Sequence, residues 1–419
     1  MDYKEIYMSL EISEYSLKAI VAEYFNSKIN ILAAHEIILK QGLEKEDVVE
    51  ELRKLKDNIA SKLGYPIENT ILIIPSIHCK KFKDSVKVDI NNDHHVVTKE
   101  EVALGIKELI SKNDTSDDFV VNVSVDKYMA YGFGFVSNPV GLETRYINME
   151  ASIYTIPSII AYPFIKVAEQ AGFNIVDVCL DIIALQNFAL TSQSNNIGAV
   201  IVDLNATNTK LAHFKNGSLK ATSIIDIGGN NITNDIAICA NIDFEKAETF
   251  KKKYVNLDLA KINDIIIYSW HDEINDEQIK ITQKFISEVS KARIVELLSL
   301  INDELKRYEL GNDELIYFCS GGSLINGLDK IMEECLDYRP IIMKKEFIGA
   351  RYSGYQKCIG SIINEAKFSR IRGEIKLYVN KNDYNESLKL VSENNLLYNM
   401  NSNVSNDFIK RLVSYIFNN

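Results

Sequence analysis

Two glycine pairs, each set between a strand-like run and a helical pattern, are the positions in this sequence best suited to chemistry. The first lies in Ile227-Gly228-Gly229-Asn230-Asn231-Ile232-Thr233-Asn234-Asp235-Ile236-Ala237, behind the β-branched Ile224 and Ile225. Glycines here let the chain turn sharply and let a ligand, or another stretch of backbone, approach with no Cβ in the way. Thr233, Asn234 and Asp235 carry oxygens of the kind that cap a helix, so a helix is predicted from Ile236. The second pair follows Ile316-Tyr317-Phe318-Cys319, a buried-strand pattern, in Ser320-Gly321-Gly322-Ser323-Leu324-Ile325, and a helix starts at Asn326-Gly327-Leu328. That turn either seats a ligand or needs glycine for backbone geometry alone.

Acidic residues recur in a matching setting. Strand Ile6 to Leu10 leads to Glu11-Ile12-Ser13-Glu14-Tyr15-Ser16 and a returning strand, Leu17 to Glu23. Strand Ala199 to Val202 leads to Asp203-Leu204-Asn205-Ala206-Thr207-Asn208 and the strand Thr209 to Phe214, followed by the hairpin signal Asn216-Gly217. A strand, an acid, a polar turn and a returning strand, once in each half, suggest an internal duplication, with two unrelated hairpins as the alternative.

Other chemistries fall away. His94-His95 lies in a polar loop with no carboxylate or cysteine at ligand spacing, and His35, His78, His213 and His271 are isolated in sequence. There is no GxxxxGK[ST] loop, which excludes a P-loop enzyme. The net charge of -11 argues against nucleic acid as a partner. The 6 cysteines are scattered without a CxxC pair, as expected of reduced core thiols in a cytosolic protein. Met1-Asp2-Tyr3-Lys4-Glu5 is too polar for a signal peptide, and no apolar run approaches the ~18 residues of a membrane span. A soluble intracellular protein is expected, unless something other than a span holds it to a membrane.

The elements that must position these residues belong to a chain of 419 residues, 46% apolar, enough for two or more units. Glu46 to Leu63 carries a one-sided stripe (Val48, Val49, Leu52, Leu55, Ile59, Leu63) and reads as a helix, followed by the buried strand Thr70 to Ile74. Lys80 to Ile156 combines strands (Phe119 to Val125, Arg145 to Thr155) with a helix at Lys99 to Ser111, a small α+β insert. Ser287 to Arg307 is another helix. Past residue 376 the sequence turns rich in Asn and Ser, as in a linker. Ser405-Asn406-Asp407 then caps a pattern in which Phe408, Ile409, Leu412, Val413, Ile416 and Phe417 share one face, with Lys410 and Arg411 off it. Such a helix suits an anionic lipid surface or, alternatively, docks on its own domain.

The string GGNxITNDIA strongly resembles the matching segment of FtsA, the bacterial division protein of actin-type fold. Ser320 to Leu328 resembles that family's TGGGSLLPGL turn, Asn138-Pro139-Val140-Gly141 a turn of its extra subdomain, and the linker with its terminal helix the family's C-terminus. The resemblance implies an α/β, actin-like (actin/Hsp70 ATPase superfamily) two-domain fold with an FtsA-type inserted α+β subdomain. Its parts would be a first core at 1–81 and 158–196, the insert at 82–157, and a second core at 197–226 and 314–375. A small subdomain would follow at 227–313, a linker at 376–404 and a membrane-targeting helix at 405–419.

The same resemblance implies ATP with magnesium as ligand. Glu11, Ser13, Asp203, Asn205 and Thr207 would face the phosphates, Glu11 and Asp203 would hold the metal through water, and no residue is assigned to catalysis. Gly228, Gly229, Asn230, Arg293, Glu296, Gly321, Gly322 and Ser323 would complete the nucleotide contacts. FtsA relatives typically read DIGTSK and DIGGGTTD at the two phosphate turns. Here Ser13 replaces a glycine, Glu14 a threonine, Asn205-Ala206-Thr207 the three glycines, and Lys210 the last aspartate. Lost room and added negative charge predict very slow ATP hydrolysis or none.

The implied function is to tether FtsZ filaments to the cytoplasmic face of the membrane at the division site and to recruit later division proteins. The implied partners are the FtsZ C-terminal tail, the membrane surface and further copies of the chain in a head-to-tail protofilament. A type IV pilus assembly adaptor (PilM-like) and an actin-superfamily ATPase or kinase are the alternatives.

Overall fold

A computed structural model describes residues 5–25, 28–39, 45–64, 69–272 and 277–372. The expected linker and terminal helix, with Phe408, Ile409, Lys410, Arg411, Leu412, Val413, Ile416 and Phe417, lie outside the described residues. The chain divides into two units. Among the described residues, one runs to Phe188 and takes in Phe347–Ala350 and 357–372; the other holds Ala189–Glu346 with Arg351–Gln356.

The first unit contains β1 (Glu5–Ile12), β2 (Ser16–Phe25), β3 (Lys28–Ile38), α1 (Lys45–Leu63), β4 (Asn69–Ile74), β5 (Lys80–Asp89) and α2 (Lys99–Asn113). It continues with β6 (Asp118–Ala130), β7 (Gly134–Val136), β8 (Tyr146–Pro157), α3 (Ser158–Gln170), β9 (Asn174–Leu180) and α4 (Asp181–Ala189). Its main sheet has the order β3-β2-β1-β4-β9, antiparallel from β1 through β3 and parallel from β1 through β9. β4 reads Thr-Ile-Leu-Ile-Ile and is buried along that whole run, as a parallel strand covered on both faces must be. The stripe on α1 seats Leu52, Leu55 and Ile59 in the core. A second sheet, β5-β8-β6-β7, is antiparallel throughout and packs Val86, Val88, Met149 and Ile153 against Val102, Ile106 and Leu109 of α2. α2 starts on a reciprocal cap between Thr98 and Glu101.

The second unit contains α5 (Ser192–Ile197), β10 (Ala199–Leu204), β11 (Thr209–Lys215), β12 (Ser218–Ile225), α6 (Gly229–Ala240) and α7 (Phe244–Tyr254). β13 (Ile266–Asp272), β14 (Glu277–Thr282), α8 (Gln283–Arg307), β15 (Leu315–Cys319), α9 (Leu328–Cys335) and β16 (Pro340–Ile342) follow, and α10 (Gln356–Arg372) begins here before passing to the first unit. Its sheet order is β12-β11-β10-β15-β16, again two antiparallel steps followed by two parallel ones. The two five-stranded sheets therefore share one topology. Asn216 and Gly217 both take positive φ, 53° and 72°, in the tight turn that their types predict.

One local expectation is corrected. α6 begins at Gly229, with Gly228 as its cap, so Thr233, Asn234 and Asp235 lie inside the helix instead of ahead of it. The Asn231 side chain accepts from Gly228 N–H at 2.9 Å and caps the helix in their place. Asn shares the capping chemistry of Thr and Asp, and the glycines' freedom moved the start forward. The core-thiol expectation holds for Cys179, Cys319 and Cys358, whereas Cys239 on α6 is exposed. No helix among the described residues is long and apolar enough to cross a membrane.

Candidate functional site

In the first unit, Glu11 lies at the end of β1, opposite Lys18 across the β1–β2 ladder. Its Oε2 is 3.3 Å from Lys18 Nζ and its Oε1 is 3.4 Å from Lys357 Nζ on α10. Burial alone would raise the Glu11 pKa, but the charges and hydrogen bonds of the two lysines overcome it and hold the carboxyl below the ordinary range. Ser13 spends its hydroxyl on the turn itself, donating to Ser16 O at 2.7 Å while accepting from Ser16 N at 3.0 Å. Glu14 is exposed at the tip.

In the second unit, Asp203 is fully buried near the matching end of β10. Its Oδ1 accepts from the Ser320 hydroxyl, and its Oδ2 accepts from the Asn205 side-chain amide at 2.9 Å. Lys210, which stands where the family has an aspartate, is buried directly across the ladder from Asp203. Thr207 is half-buried in the turn. The N-terminus of α6 would be a ready anion site, but its N–H groups are spent within the unit. Gly229 N donates to Asn205 O at 2.9 Å and Asn230 N to Ala206 O at 2.7 Å.

The four glycines separate into two kinds. A Cβ at Gly228 would stand 2.6 Å from the Ala206 carbonyl oxygen, and one at Gly322 would stand 2.7 Å from Leu204 Cβ. Those two are required by packing against the Leu204–Asn208 turn. A Cβ at Gly229 would meet nothing nearer than Lys251 Nζ at 3.5 Å, and one at Gly321 would meet the Tyr352 hydroxyl at 3.0 Å. Backbone crowding does not explain Gly229 or Gly321, and both are only half-buried. Ser323 donates its hydroxyl to Ser320 O at 2.7 Å, and Ser320 itself holds a positive φ of 68° with its N–H on Gln356 Oε1 at 2.8 Å.

Arg293 on α8 grips Asp235 of α6 with two bonds, Nε at 2.6 Å and Nη2 at 2.9 Å, and places Nη1 2.6 Å from Glu296. This bidentate contact, reinforced by Glu296, raises the guanidinium pKa. The pair ties α8 to α6.

Sequence reasoning missed Lys251 and Glu248 of α7. Lys251 Nζ lies 2.6 Å from Glu248 Oε2, 2.7 Å from Thr233 Oγ1 and 2.8 Å from the Gly229 carbonyl oxygen. Burial lowers the Lys251 pKa in spite of Glu248, leaving a desolvated ammonium at the first glycine turn. A Glu and a Lys three apart, beside Ala247 and Phe250 on the inward face of α7, are the signal that would have found them. His213 is also not isolated, since its Nε2 lies 2.6 Å from Glu314 Oε2, with Lys215 Nζ 2.7 Å from the other oxygen. That cluster sits at the opposite end of the sheet from Asp203.

The family model described as Cell division protein FtsA matches residues 200–360. The Cell division protein FtsA of Bacillus subtilis (strain 168) is 23% identical over 89% of this chain and 86% of its own. That of Staphylococcus epidermidis (strain ATCC 12228) is 25% identical over 90% and 82%. Among solved structures, MreB5 of Spiroplasma citri bound to ADP superposes with a TM-score of 0.52 at 15% identity, covering 88% of this chain and 99% of that one. The PilM-PilN type IV pilus biogenesis complex gives 0.51 at 14%, covering 84% and 96%. These likenesses show the fold, which is actin-like.

Proposed function

We propose, since the chain is a divergent homologue of the FtsA cell-division proteins, that it acts in cell division by tethering FtsZ filaments to the cytoplasmic face of the membrane. The observation that carries this reading is similarity to FtsA proteins over about nine-tenths of the chain. The type IV pilus alternative gains support from the fold alone, at 14% identity.

In this reading the subdomain 227–313 receives the FtsZ C-terminal tail, and the insert 82–157 meets the next copy in a head-to-tail protofilament. A heterologous contact of that kind does not close and so makes filaments. Residues 405–419 lie on anionic lipid, and later division proteins join the polymer. One short helix binds lipid marginally, so many tails on one polymer are needed for durable attachment. Co-sedimentation with anionic liposomes and an FtsZ tail peptide tests the proposal. The full chain should carry the peptide into the pellet, and a chain truncated after Asn399 should leave both in solution. Equal pelleting of the two chains would refute the membrane assignment.

The second unit also binds an adenine nucleotide in this reading. Support comes from the room at Gly229 and from Lys251 beside it. Hydrolysis is slow or absent, because the N–H donors at the start of α6 are already engaged and Asn205-Ala206-Thr207 stand where a glycine turn would cradle phosphate. Phosphate release at about 1 per second or faster would refute that part.

A further inference from the structure

The resemblance assigns Glu11 and Asp203 to water-bound magnesium, and the surroundings of both carboxylates do not fit that ion. Magnesium keeps most of its waters, so its carboxylates must face solvent or ligand. Asp203 has no exposed surface at all, and each of its oxygens accepts a bond from a neutral donor of its own unit, Ser320 or Asn205. The side chain of Glu11 is 9% exposed, with one ammonium at each oxygen. Lys357, itself 8% exposed, approaches from α10, and Lys18, 12% exposed, from β2.

Charge arithmetic explains why such a cluster is stable. One carboxylate with two ammoniums sums to +1 (two minus one), the same as one carboxylate with a divalent cation. Glu36 stands farther off, 4.0 Å from Lys18. A buried carboxylate needs compensation of this kind, and here the chain supplies it covalently.

We infer that this protein binds its nucleotide without a divalent cation, Lys18 and Lys357 together filling at Glu11 the charge role that magnesium would otherwise have. The inference rests on the nucleotide reading above, so two measurements are needed to separate them. Calorimetric titration of the full chain with ATP should give the same affinity in magnesium and in EDTA, within about threefold. A loss of about tenfold or more in EDTA would overturn the inference. Lys357→Met, which vacates one Glu11 oxygen, should acquire a magnesium dependence of about tenfold; a folded variant with none would equally overturn it.

Absence of ATP binding in both buffers would instead sink the nucleotide reading. The assignment at Glu11 then rests on titration with Mn2+ followed by water-proton relaxation, which needs neither nucleotide nor a lysine variant. The wild-type chain and Glu11→Gln should titrate alike. A Mn2+ site present in the wild type and lost in Glu11→Gln would refute the role given to the two lysines.

Discussion

The two acid-bearing hairpins occupy the same slot in sheets of the same topology, yet they neutralise their carboxylates by different means. At the β1–β2 turn, Glu11 is balanced by whole charges from Lys18 and Lys357. At the β10–β11 turn, Asp203 is held by a hydroxyl and an amide, with Lys210 across the ladder. The tips differ as well. Ser13 closes the first turn through its own side chain, whereas the second is braced from outside by α6 and by Gly228 and Gly322. A duplicated frame thus preserves where an acid sits without preserving what the acid does. Each acid faces a lysine across its ladder, but Glu11 has a second lysine where Asp203 has a hydroxyl and an amide, and this contrast can be measured.

The largest effect is expected in the first hairpin. Lys357→Met leaves Glu11 with Lys18 alone, and breaking a buried ion cluster from one side costs about 3–5 kcal/mol. Urea unfolding should register it as a lower midpoint with an unchanged slope. Asp203→Asn in the second hairpin keeps an acceptor for Ser320 and exchanges a charged partner for a neutral one, so about 1.5–3 kcal/mol is expected. If the two substitutions cost the same, the proposed difference between the turns is wrong.

The glycines sharpen the second half of the comparison. Gly228→Ala drives a methyl against the Ala206 carbonyl and should cost about 1–3 kcal/mol by overpacking. Gly321→Ala meets only the movable Tyr352 ring and should leave stability nearly unchanged while weakening nucleotide binding. Thermal melts of both variants with and without ATP separate packing from ligand contact.

Acid provides a gentler probe. The folded pKa of Glu11 lies below the ordinary 4.5, so its stabilisation is present above that value and is lost as pH falls through the depressed one. Lys357→Met should flatten this part of the stability–pH curve, because half of the compensation has gone. A curve of unchanged shape would place the titrating cluster elsewhere. The smallest effect belongs to Glu14→Gln at the exposed tip, expected within about 0.5 kcal/mol of wild type in the same urea experiment.

Much of this frame was legible in the sequence because local chemistry decided it. Asn216-Gly217 turns where those two residue types must, α1 buries the stripe its spacing marks, and both strand–acid–turn–strand units stand at matching places. What stayed hidden depends on side chains that meet only after folding. Lys357 is far along the chain from Glu11, and no periodicity links α10 to the end of β1. Lys251 is one of three consecutive lysines, and only the turn of α7 selects it to face Gly229. His213 and Glu314 meet across the β10–β11–β15 sheet, at a separation no motif describes. The sequence does not mark the start of α6, because Asn231 and Thr233 carry equivalent capping chemistry and the bonds to the Leu204–Asn208 turn decide between them.

The clasp between that turn and α6 has a mechanical consequence. Two backbone bonds, Gly229 to Asn205 and Asn230 to Ala206, weld the hairpin tip to the first turn of the helix, and Arg293 welds the middle of the same helix to α8. Tip, α6 and α8 therefore form one lever. Anything that lifts the tip must tilt α6 and drag residues 283–307 with it, and the amide hydrogens of Gly229 and Asn230 should exchange on the same slow clock as those of α8.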